Sequence, residues 1–481
     1  MIPVFFSQLS RWLQSFLQKP EKVFLILASV FGLVLVFLTP PFQVPDEPAH
    51  FFRAYQVSNL TFVSQPFQLN SETRYGSQLP ESLTAADTLF IGNVAGHAEN
   101  RFPLHLFRLG IDQQLQPQKT QQTLVEASAI YSPIVYVPQA IGITIGKLFS
   151  APPLVMIWLG RIMNLAFWIL IMYVALRLLP FAKWAMVILI LNPVAIFLSA
   201  SLSPDVTNIS FAFLFVSLIL ATFNSKVLIS KRMMFALLGV LAVLSLSKPV
   251  NLVFALLLFA IPWKRFATKW KFIRFCIIGI LLSGFLFVFW NYQVKDILVA
   301  AVKSQSGGVA ISDQAQLLYI LHTPLSYLHV VFNNYVLAVP GTSGDAVLGT
   351  FFGVFGWLDT SIPLWTIMVY LLTLFLALLY QMGRGITLTR TQKLFFVITF
   401  GLGFLGNITA MYFNSTAVGA SVISGVQGRY FIAFSILALG IFTARKKILQ
   451  ISEKSIGTIL FSAMIVILLM MIIRIALRYY A

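Results

Sequence analysis

Long apolar runs separated by short polar stretches dominate this chain, and the pattern predicts a series of membrane-spanning helices. We predict about eleven spans, within a range of about ten to twelve, because a full crossing needs about 20 residues. The predicted spans cover residues 23–39, 154–177, 181–200, 207–223, 233–247, 250–262, 273–291, 363–380, 394–413, 429–444 and 456–477. The short runs 233–247 and 250–262 meet at Lys248-Pro249, so they form either two spans or one broken helix.

The composition supports an all-α polytopic membrane protein, built as a single integral membrane domain over residues 1–480. Hydrophobic residues make up 58% of the chain and charged residues 10%, whereas soluble proteins carry about 25% charged residues. The formal net charge of +18 does not indicate nucleic-acid binding, because the Lys and Arg residues lie mostly between the apolar runs. Cys276 is the single cysteine and lies in an apolar run, so disulfides are excluded.

The distribution of charge along the chain predicts the orientation. With a cytoplasmic N-terminus, most Lys and Arg residues fall in the connections on the cytoplasmic side, as in other membrane proteins. Of the 15 acidic residues, only Glu21 and Glu453 fall on that side. The concentration of acids on the other side indicates an external working face.

Two long segments face the outside in this interpretation. The first external loop, residues 40–153, carries two juxtamembrane helices at 48–57 and 131–149, with polar stretches between them. Residues 131–149 form either an interfacial or a spanning helix. We favour the interfacial one, because a further span would place the basic residues that follow on the outside. The second external loop, 292–362, contains an interfacial helix at 314–338.

The stretch "VPDEPAHFFRAYQ" follows the first apolar run and contains an adjacent pair of acids, Asp46 and Glu47. Pro48 suits the first position of a helix, which makes Glu47 the N-cap. Either both acids cap this helix, or Asp46 is left as a positioned carboxylate that can accept a proton. We favour a functional Asp46.

His50 lies four residues after Asp46, so the two side chains can share one helix face. Together with Glu47 they form a possible site for a divalent cation such as Mg²⁺ or Mn²⁺. The alternative is a polar interfacial histidine without a metal. The pattern does not indicate zinc, because no second histidine or cysteine ligand has suitable spacing.

Other ionisable residues recur near the outer ends of the predicted spans, where they either form structural ion pairs or bind an anionic lipid headgroup with a polar cargo. Arg429, in "GVQGRY", is the best phosphate ligand, because its guanidinium can bind two phosphate oxygens at once. The candidate substrate-binding residues are Arg429, Lys248, Arg161, His50, Asp205, Asp359 and Tyr131.

The motifs "PDEPAHFFRAYQ", "YSPIVYVPQAIG", "SPD", "KP", "FGWLDT" and "GVQGRY" occur in an order that resembles a family of bacterial polytopic membrane proteins. They extend from about residue 44 to 430 and therefore cover most of the chain. That family in turn resembles the C-type (GT-C) superfamily of glycosyltransferases. The resemblance implies a GT-C-like fold in the bacterial plasma membrane, with 48–57 and 131–149 as the two juxtamembrane helices of the first external loop.

The resemblance also implies a function. By this resemblance, we expect the protein to transfer a sugar, with inversion, from a polyprenyl-phosphate donor to a cell-envelope glycan or lipid-linked acceptor on the external face. Asp46 matches the catalytic position, and the adjacent Glu47 is the second catalytic candidate. Arg429 first, and then Lys248 or Arg161, would neutralise the leaving phosphate. A transporter or flippase of a lipid-linked glycan, and a glycan polymerase or ligase, stay open as alternatives.

Overall fold

The structure, a computed structural model, describes residues 17–223, 227–305, 311–336 and 343–481, which form a mostly helical fold with two small sheets. The elements up to residue 223 are, in chain order, α1 (Pro20–Leu38), α2 (Glu47–Ser58), β1 (Gln65–Leu69), β2 (Glu72–Pro80), α3 (Glu81–Ile91), α4 (His105–Asp112), β3 (Thr120–Leu124), α5 (Glu126–Ala129), a 3-10 helix (Pro133–Tyr136), α6 (Val137–Leu148), α7 (Pro153–Leu178), α8 (Lys183–Ile190), α9 (Pro193–Ser199) and α10 (Asp205–Phe223).

The remaining elements alternate long helices with short, irregular ones. They are α11 (Lys231–Ser247), two 3-10 helices (Pro249–Ala260 and Trp263–Arg265), α12 (Lys269–Gln305), α13 (Asp313–His322), α14 (Pro324–Val331), a π-helix (Phe332–Val336), α15 (Ser343–Phe352), β4 (Val354–Phe355), β5 (Thr360–Ser361), α16 (Leu364–Gln381), α17 (Arg390–Asn414), a 3-10 helix (Gly428–Phe431), α18 (Ile432–Ser435), α19 (Ala438–Ile441) and α20 (Glu453–Tyr480).

Seven of the described helices are long and apolar enough to cross a membrane, namely α1, α7, α10, α12, α16, α17 and α20. The other four apolar runs are not among these helices, so the count of about eleven spans stays a prediction. Burial differs among the seven helices: α10 is enclosed on nearly all sides, whereas α12 and α17 expose most of their apolar surface. Helix α10 thus lies in the centre of the fold, and α12 and α17 lie at its periphery.

Two of the four runs contain irregular backbone. Residues 181–200 are divided into α8 and α9 by Asn192, whose side chain accepts hydrogen bonds from the N–H groups of Val194 and Ala195. Residues 429–444 form a 3-10 helix and two four-residue α-helices. Hydropathy reports only that these segments are apolar. Irregular backbone is tolerated at membrane depth where protein surrounds it, as it surrounds the mostly buried 429–440.

The other two runs form an antiparallel hairpin. The Ile229 N–H group donates to the Arg265 carbonyl at 2.8 Å, which joins the start of one arm to the end of the other and leaves Lys248-Pro249 at the tip. Two arms, rather than one broken helix, are therefore present. The 17-residue helix α11 rises about 26 Å at 1.5 Å per residue. The 12-residue 3-10 arm rises about 24 Å at 2.0 Å per residue, so the arms match in length.

The segment 40–153, predicted as the first external loop, contains helices α2 and α6 at the positions of the two predicted juxtamembrane helices. The 12 residues of α6 span about 18 Å, too short for a crossing. Helix α6 packs against α7 through glycine, because a Cβ at Gly142 would lie 2.3 Å from the Leu159 carbonyl oxygen. The stretch between α2 and α6 also contains an antiparallel sheet in the order β1-β2-β3, which the sequence interpretation missed. Its β1–β2 turn uses Asn70 and Ser71, both with positive φ, as a type I′ turn requires.

Helix α12 continues to Gln305, beyond the predicted end of its span at residue 291, so the start of the segment predicted as the second external loop is helical. The predicted helix 314–338 is helical where it is described, but it is divided into α13, α14 and the π-helix. Residues 337 and 338 lie outside the described residues.

Candidate active site

The loop between α1 and α2 carries both acids of the "PDEP" motif. Asp46 has a φ of 63°, and Phe42, in the middle of the loop, also has a φ of 63°. Positive φ is uncommon for residues other than glycine and requires support from the surrounding structure. The predicted capping role is wrong, since α2 begins at Glu47 and its N-cap residue Asp46 makes no side-chain capping bond. The two carboxylates point to different partners.

Glu47 forms a fully buried ion pair with Arg161 of α7. One carboxylate oxygen accepts from Arg161 Nε at 2.8 Å and from the Leu202 N–H group at 3.1 Å. The other accepts from Arg161 Nη2 at 2.6 Å and from the Phe42 N–H group at 3.0 Å. Both oxygens are thus saturated by donors and closed to solvent. Glu47 is therefore a structural residue rather than a catalytic acid or base.

Arg161 is equally saturated. Its remaining N–H groups donate to the carbonyl oxygens of Val36, Thr39 and Pro40, at 3.0, 2.7 and 3.1 Å. A guanidinium has five N–H groups, and all of them are used by the Glu47 carboxylate and these carbonyls. Arg161 has no donor left for a phosphate, which corrects its sequence-based assignment as a ligand. It instead joins the end of α1 to the start of α2.

Asp46, Arg429, Asp205 and Lys248 form a cluster of alternating charge. Asp46 Oδ2 lies 3.0 Å from Arg429 Nη2, and Asp205 Oδ1 lies 2.6 Å from Lys248 Nζ. Arg429 Nε lies 3.8 Å from Asp205 Oδ2, which connects the two pairs. The four residues come from the α1–α2 loop, the start of α10, the hairpin tip and the 3-10 helix after α17. The fold thus brings together four of the residues that the sequence analysis selected as site candidates.

Exposure differs sharply within this cluster. The Asp46 side chain is 56% exposed, whereas the Arg429 side chain is 9% exposed. Among the described residues, Arg429 donates one hydrogen bond, to Asp46, and its buried Nε has no hydrogen-bond partner. Arg429 therefore keeps unused donors beside a reachable carboxylate. Lys248 and Arg429 also both lie over the ring of Tyr430, at 4.8 and 5.5 Å from its centre.

His50, Tyr131 and Tyr136 form one wall of the cluster. His50 Nδ1 lies 3.0 Å from the Tyr136 hydroxyl, and its ring centre is 6.5 Å from that of Tyr131. Burial lowers the pKa of His50 to about 4, and the nearby Asp46 opposes this shift only in part. Burial raises the pKa of Tyr131 to about 12. At neutral pH this wall is therefore uncharged.

The possible metal site is not assembled. Asp46 contacts Arg429, Glu47 contacts Arg161, and His50 contacts Tyr136, so the three side chains do not converge. Within the described part of the chain, no group of three or more His, Cys, Asp or Glu side chains could hold a metal ion.

Asp359 lies apart from the cluster. Its Oδ2 accepts from Arg478 Nε at 3.1 Å and Nη2 at 2.8 Å. Arg478 also donates to carbonyl oxygens of the first external loop, including that of Asn100 at 2.6 Å. Asp359 therefore fastens the end of α20 to this loop, which corrects its prediction as a substrate-binding residue. The Asp359–Arg478 pair was not recognisable from the sequence, because 119 residues separate its members.

A largely apolar groove of about 580 Å³ adjoins the cluster. The end of the groove next to the charged cluster is lined by Lys248, Tyr131 and Tyr430. Its walls are formed by the hairpin tip, α12 and α17. Its apolar lining includes Val250, Phe287, Trp290, Val294, Leu298 and Met411. The sequence interpretation missed this groove, although Tyr430 directly follows Arg429 in "GVQGRY". Trp290 and the other wall residues look like ordinary lipid-facing residues in the sequence.

The fold and the cluster define a polytopic helical membrane protein with a charged site beside an apolar groove. Residues 29–438 match the family described as "Predicted membrane protein (DUF2142)", and the chain belongs to this family. Neither a curated protein nor a solved structure matches the chain.

Proposed function

We propose that this protein is a membrane glycosyltransferase that moves a sugar from a polyprenyl-phosphate donor to a cell-envelope glycan or lipid-linked acceptor. The observation that carries the proposal is the half-exposed carboxylate of Asp46 beside the buried, incompletely bonded Arg429. A base and an anion-binding group are thereby adjacent. The GT-C resemblance of the motifs supports the same assignment.

The groove suits the lipid part of such a donor. Its lining is mostly apolar, and Lys248 and Tyr430 line it where it meets the charged cluster. An isoprenoid chain in the groove would bring its phosphate to Lys248 and Arg429. Both cations can stabilise the charge that develops on a departing phosphate, and the guanidinium can do so through two N–H groups.

The reaction follows from this arrangement. An acceptor hydroxyl attacks the anomeric carbon of the donor sugar, and Asp46 removes the hydroxyl proton. The new glycosidic bond forms as the bond from the anomeric carbon to the phosphate oxygen breaks. The electron pair of that bond leaves with polyprenyl phosphate, next to Arg429 and Lys248. Attack opposite the leaving group inverts the anomeric centre.

The charges of the cluster also suggest what donor binding does to Asp46. Two carboxylates and two cations balance one another, with Asp46 held by Arg429 and Asp205 held by Lys248. A donor phosphate competes with Asp46 for the guanidinium. Once Arg429 contacts phosphate, the Asp46 carboxylate oxygen that accepted from the guanidinium is free to accept the hydroxyl proton.

We place this reaction on the external face of the bacterial plasma membrane, with the N-terminus in the cytoplasm. The support is the Lys and Arg distribution, which puts the loop carrying Asp46 outside. A lipid-linked donor fits this location.

The test of the proposal is sugar transfer by purified Asp46→Asn protein, supplied with a panel of polyprenyl-phosphate sugars and envelope acceptors. Asparagine keeps the shape of aspartate but cannot take a proton at neutral pH. We expect turnover to fall by about 100- to 10,000-fold, the usual contribution of a general base. Donor binding and thermal stability should stay close to those of the wild type.

Asp112→Asn is the matched control, because Asp112 is an exposed residue at the end of α4 in the first external loop. It should transfer sugar at the wild-type rate. Normal turnover by Asp46→Asn would exclude Asp46 as the base and remove the main support for the proposed mechanism.

Transport of a lipid-linked glycan is the second candidate, and the interrupted segments favour it. Discontinuous helices next to a polar site are common in transporters, and the breaks at Asn192 and Lys248-Pro249 belong to this type. Movement of a labelled lipid-linked glycan across vesicles, without cleavage and at an equal rate in Asp46→Asn, would establish this function instead.

A further inference from the structure

We propose that Tyr479 and Tyr480, the last two residues of α20, are positioning residues that hold the loop of Asp46 in its catalytic conformation. This inference rests on the proposed function of Asp46. Neither tyrosine is near Asp46 in the sequence, and α20 begins at Glu453, beyond residue 438, where the family match ends.

The two hydroxyls hold the loop from two positions. Tyr480 donates to the carbonyl oxygen of Leu38, the last residue of α1, at 2.8 Å. Tyr479 donates to the carbonyl oxygen of Gln43 at 3.2 Å. The final carbonyls of a helix have no partner within the helix, so the Leu38 bond acts as a cap supplied by a distant element. Gln43 lies three residues before Asp46.

Other elements hold the carbonyl oxygens between these positions. Arg161 binds those of Thr39 and Pro40, and Trp357 Nε1 donates to that of Phe42 at 3.0 Å. Side chains from three separate parts of the chain thus fix a loop of eight residues, 39–46. A conformation with two positive-φ residues persists only where its surroundings determine it strongly. The tyrosines are part of that support.

The end of α20 is itself fixed, so its hydroxyls are not free to follow the loop. Tyr479 is fully buried, and its carbonyl oxygen accepts from the Phe102 N–H group at 2.8 Å. The preceding residue, Arg478, is fastened to Asp359 and to the first external loop. The helix therefore supplies two rigid donors to the loop. Small displacements of a catalytic group can cost large factors in rate, so loss of either donor should affect Asp46.

The experiment removes only the hydroxyls, with Tyr479→Phe, Tyr480→Phe and the double variant in the full-length protein. We expect kcat for sugar transfer to fall about tenfold in each single variant and further in the double variant. The Kd of the donor should stay unchanged, because neither tyrosine contacts the groove. Hydrogen–deuterium exchange of the backbone amides of residues 42–47 should become faster.

Tyr292→Phe is the matched control, because Tyr292 is largely exposed on α12 and lies outside the groove lining. It should change neither kcat nor amide exchange. The inference would be overturned if the wild type transfers sugar and the double variant shows the same kcat and the same amide exchange as the wild type.

The exchange measurement separates this inference from the proposed function. If the wild type transfers no sugar but exchange at 42–47 increases in the phenylalanine variants, the proposed function fails and the support of the loop by α20 stands. If kcat falls in proportion to melting temperature while exchange at 42–47 matches the control, the tyrosines are merely structural and the inference fails.

Discussion

Replacement of Glu47 by glutamine tests the assignment of the two adjacent acids more sharply than any other change. Each oxygen of the Glu47 carboxylate accepts from two donors, one on Arg161 and one on the backbone. A glutamine has only one oxygen, so its amide N–H₂ group must face two N–H donors in either orientation. Two of the four hydrogen bonds are lost, and Arg161 stays buried without a counter-charge.

The magnitude follows from burial. Both side chains of the pair are 0% exposed, and breaking such a pair by removing one partner costs about 3–5 kcal/mol. The Asp46–Arg429 contact is different, because the Asp46 side chain is 56% exposed. Asparagine keeps an oxygen that can accept from Arg429, and Asp205 stays 3.8 Å from the Arg429 Nε, so the loss should cost only about 1 kcal/mol. Glu47→Gln should therefore reduce mainly the stability of the protein, whereas Asp46→Asn should reduce mainly the rate of sugar transfer.

The assay is thermal unfolding of the purified proteins in one detergent, with the half-life at a fixed temperature as a second measure. Glu47→Gln should melt well below the wild type, and Asp46→Asn should melt close to it. Glu99→Gln is the control, because the Glu99 side chain is 71% exposed in the first external loop. A Glu47→Gln protein as stable as Glu99→Gln would refute the structural assignment of Glu47.

Three further predictions concern pH, packing and topology. Because burial lowers the pKa of His50 to about 4 from 6.5, protons favour the unfolded chain between these values. The free energy of unfolding should therefore be highest above pH 6.5 and lower by about 2 kcal/mol at pH 5. A pH series of melting temperatures should show this decrease in the wild type and lose the His50 part of it in His50→Gln. Gly142→Ala should destabilise the protein by about 1–3 kcal/mol, because its Cβ would lie 2.3 Å from the Leu159 carbonyl oxygen. Gly401→Ala is the control and should not destabilise it, because nothing lies within 4 Å of the added Cβ. Equal melting temperatures of the two variants would contradict the packing of α6 on α7. On a background without Cys276, an impermeant thiol reagent applied outside should label Asn93→Cys but not Ala267→Cys, and the reverse result would invert the topology.

Several features were accessible from the sequence because they depend on local composition. Transfer of apolar side chains into lipid is favourable wherever they occur, so the long runs 23–39 and 154–177 could be identified as membrane helices without a fold. Asp46 and Arg429 could be selected because charged residues are rare in such a chain and costly at a membrane. The match over residues 29–438 to a family of predicted membrane proteins agrees with the membrane class.

Tertiary structure decided which charged groups meet. Glu47 and Arg161 are 114 residues apart, and Asp46 and Arg429 are 383 residues apart. Asp46 and Glu47 are adjacent in one motif, yet the Glu47 carboxylate is buried with all its hydrogen bonds made, whereas the Asp46 carboxylate is half exposed. No local pattern distinguishes them, because the difference arises from partners on other helices. The assignment of the catalytic candidate to Asp46 alone depends on these partners.

Tertiary structure also decided where an apolar run is not a helix. Hydropathy measures the transfer of side chains and does not report the hydrogen bonds of the backbone. Two segments show this: the 3-10 arm Pro249–Ala260 and the interrupted segment that begins at Gly428. Both are apolar because their surroundings are apolar, so hydropathy could not reveal their irregular backbone. The tip at Lys248 and the turn at Arg429 bring two cations to one site only because these segments depart from regular α-helix.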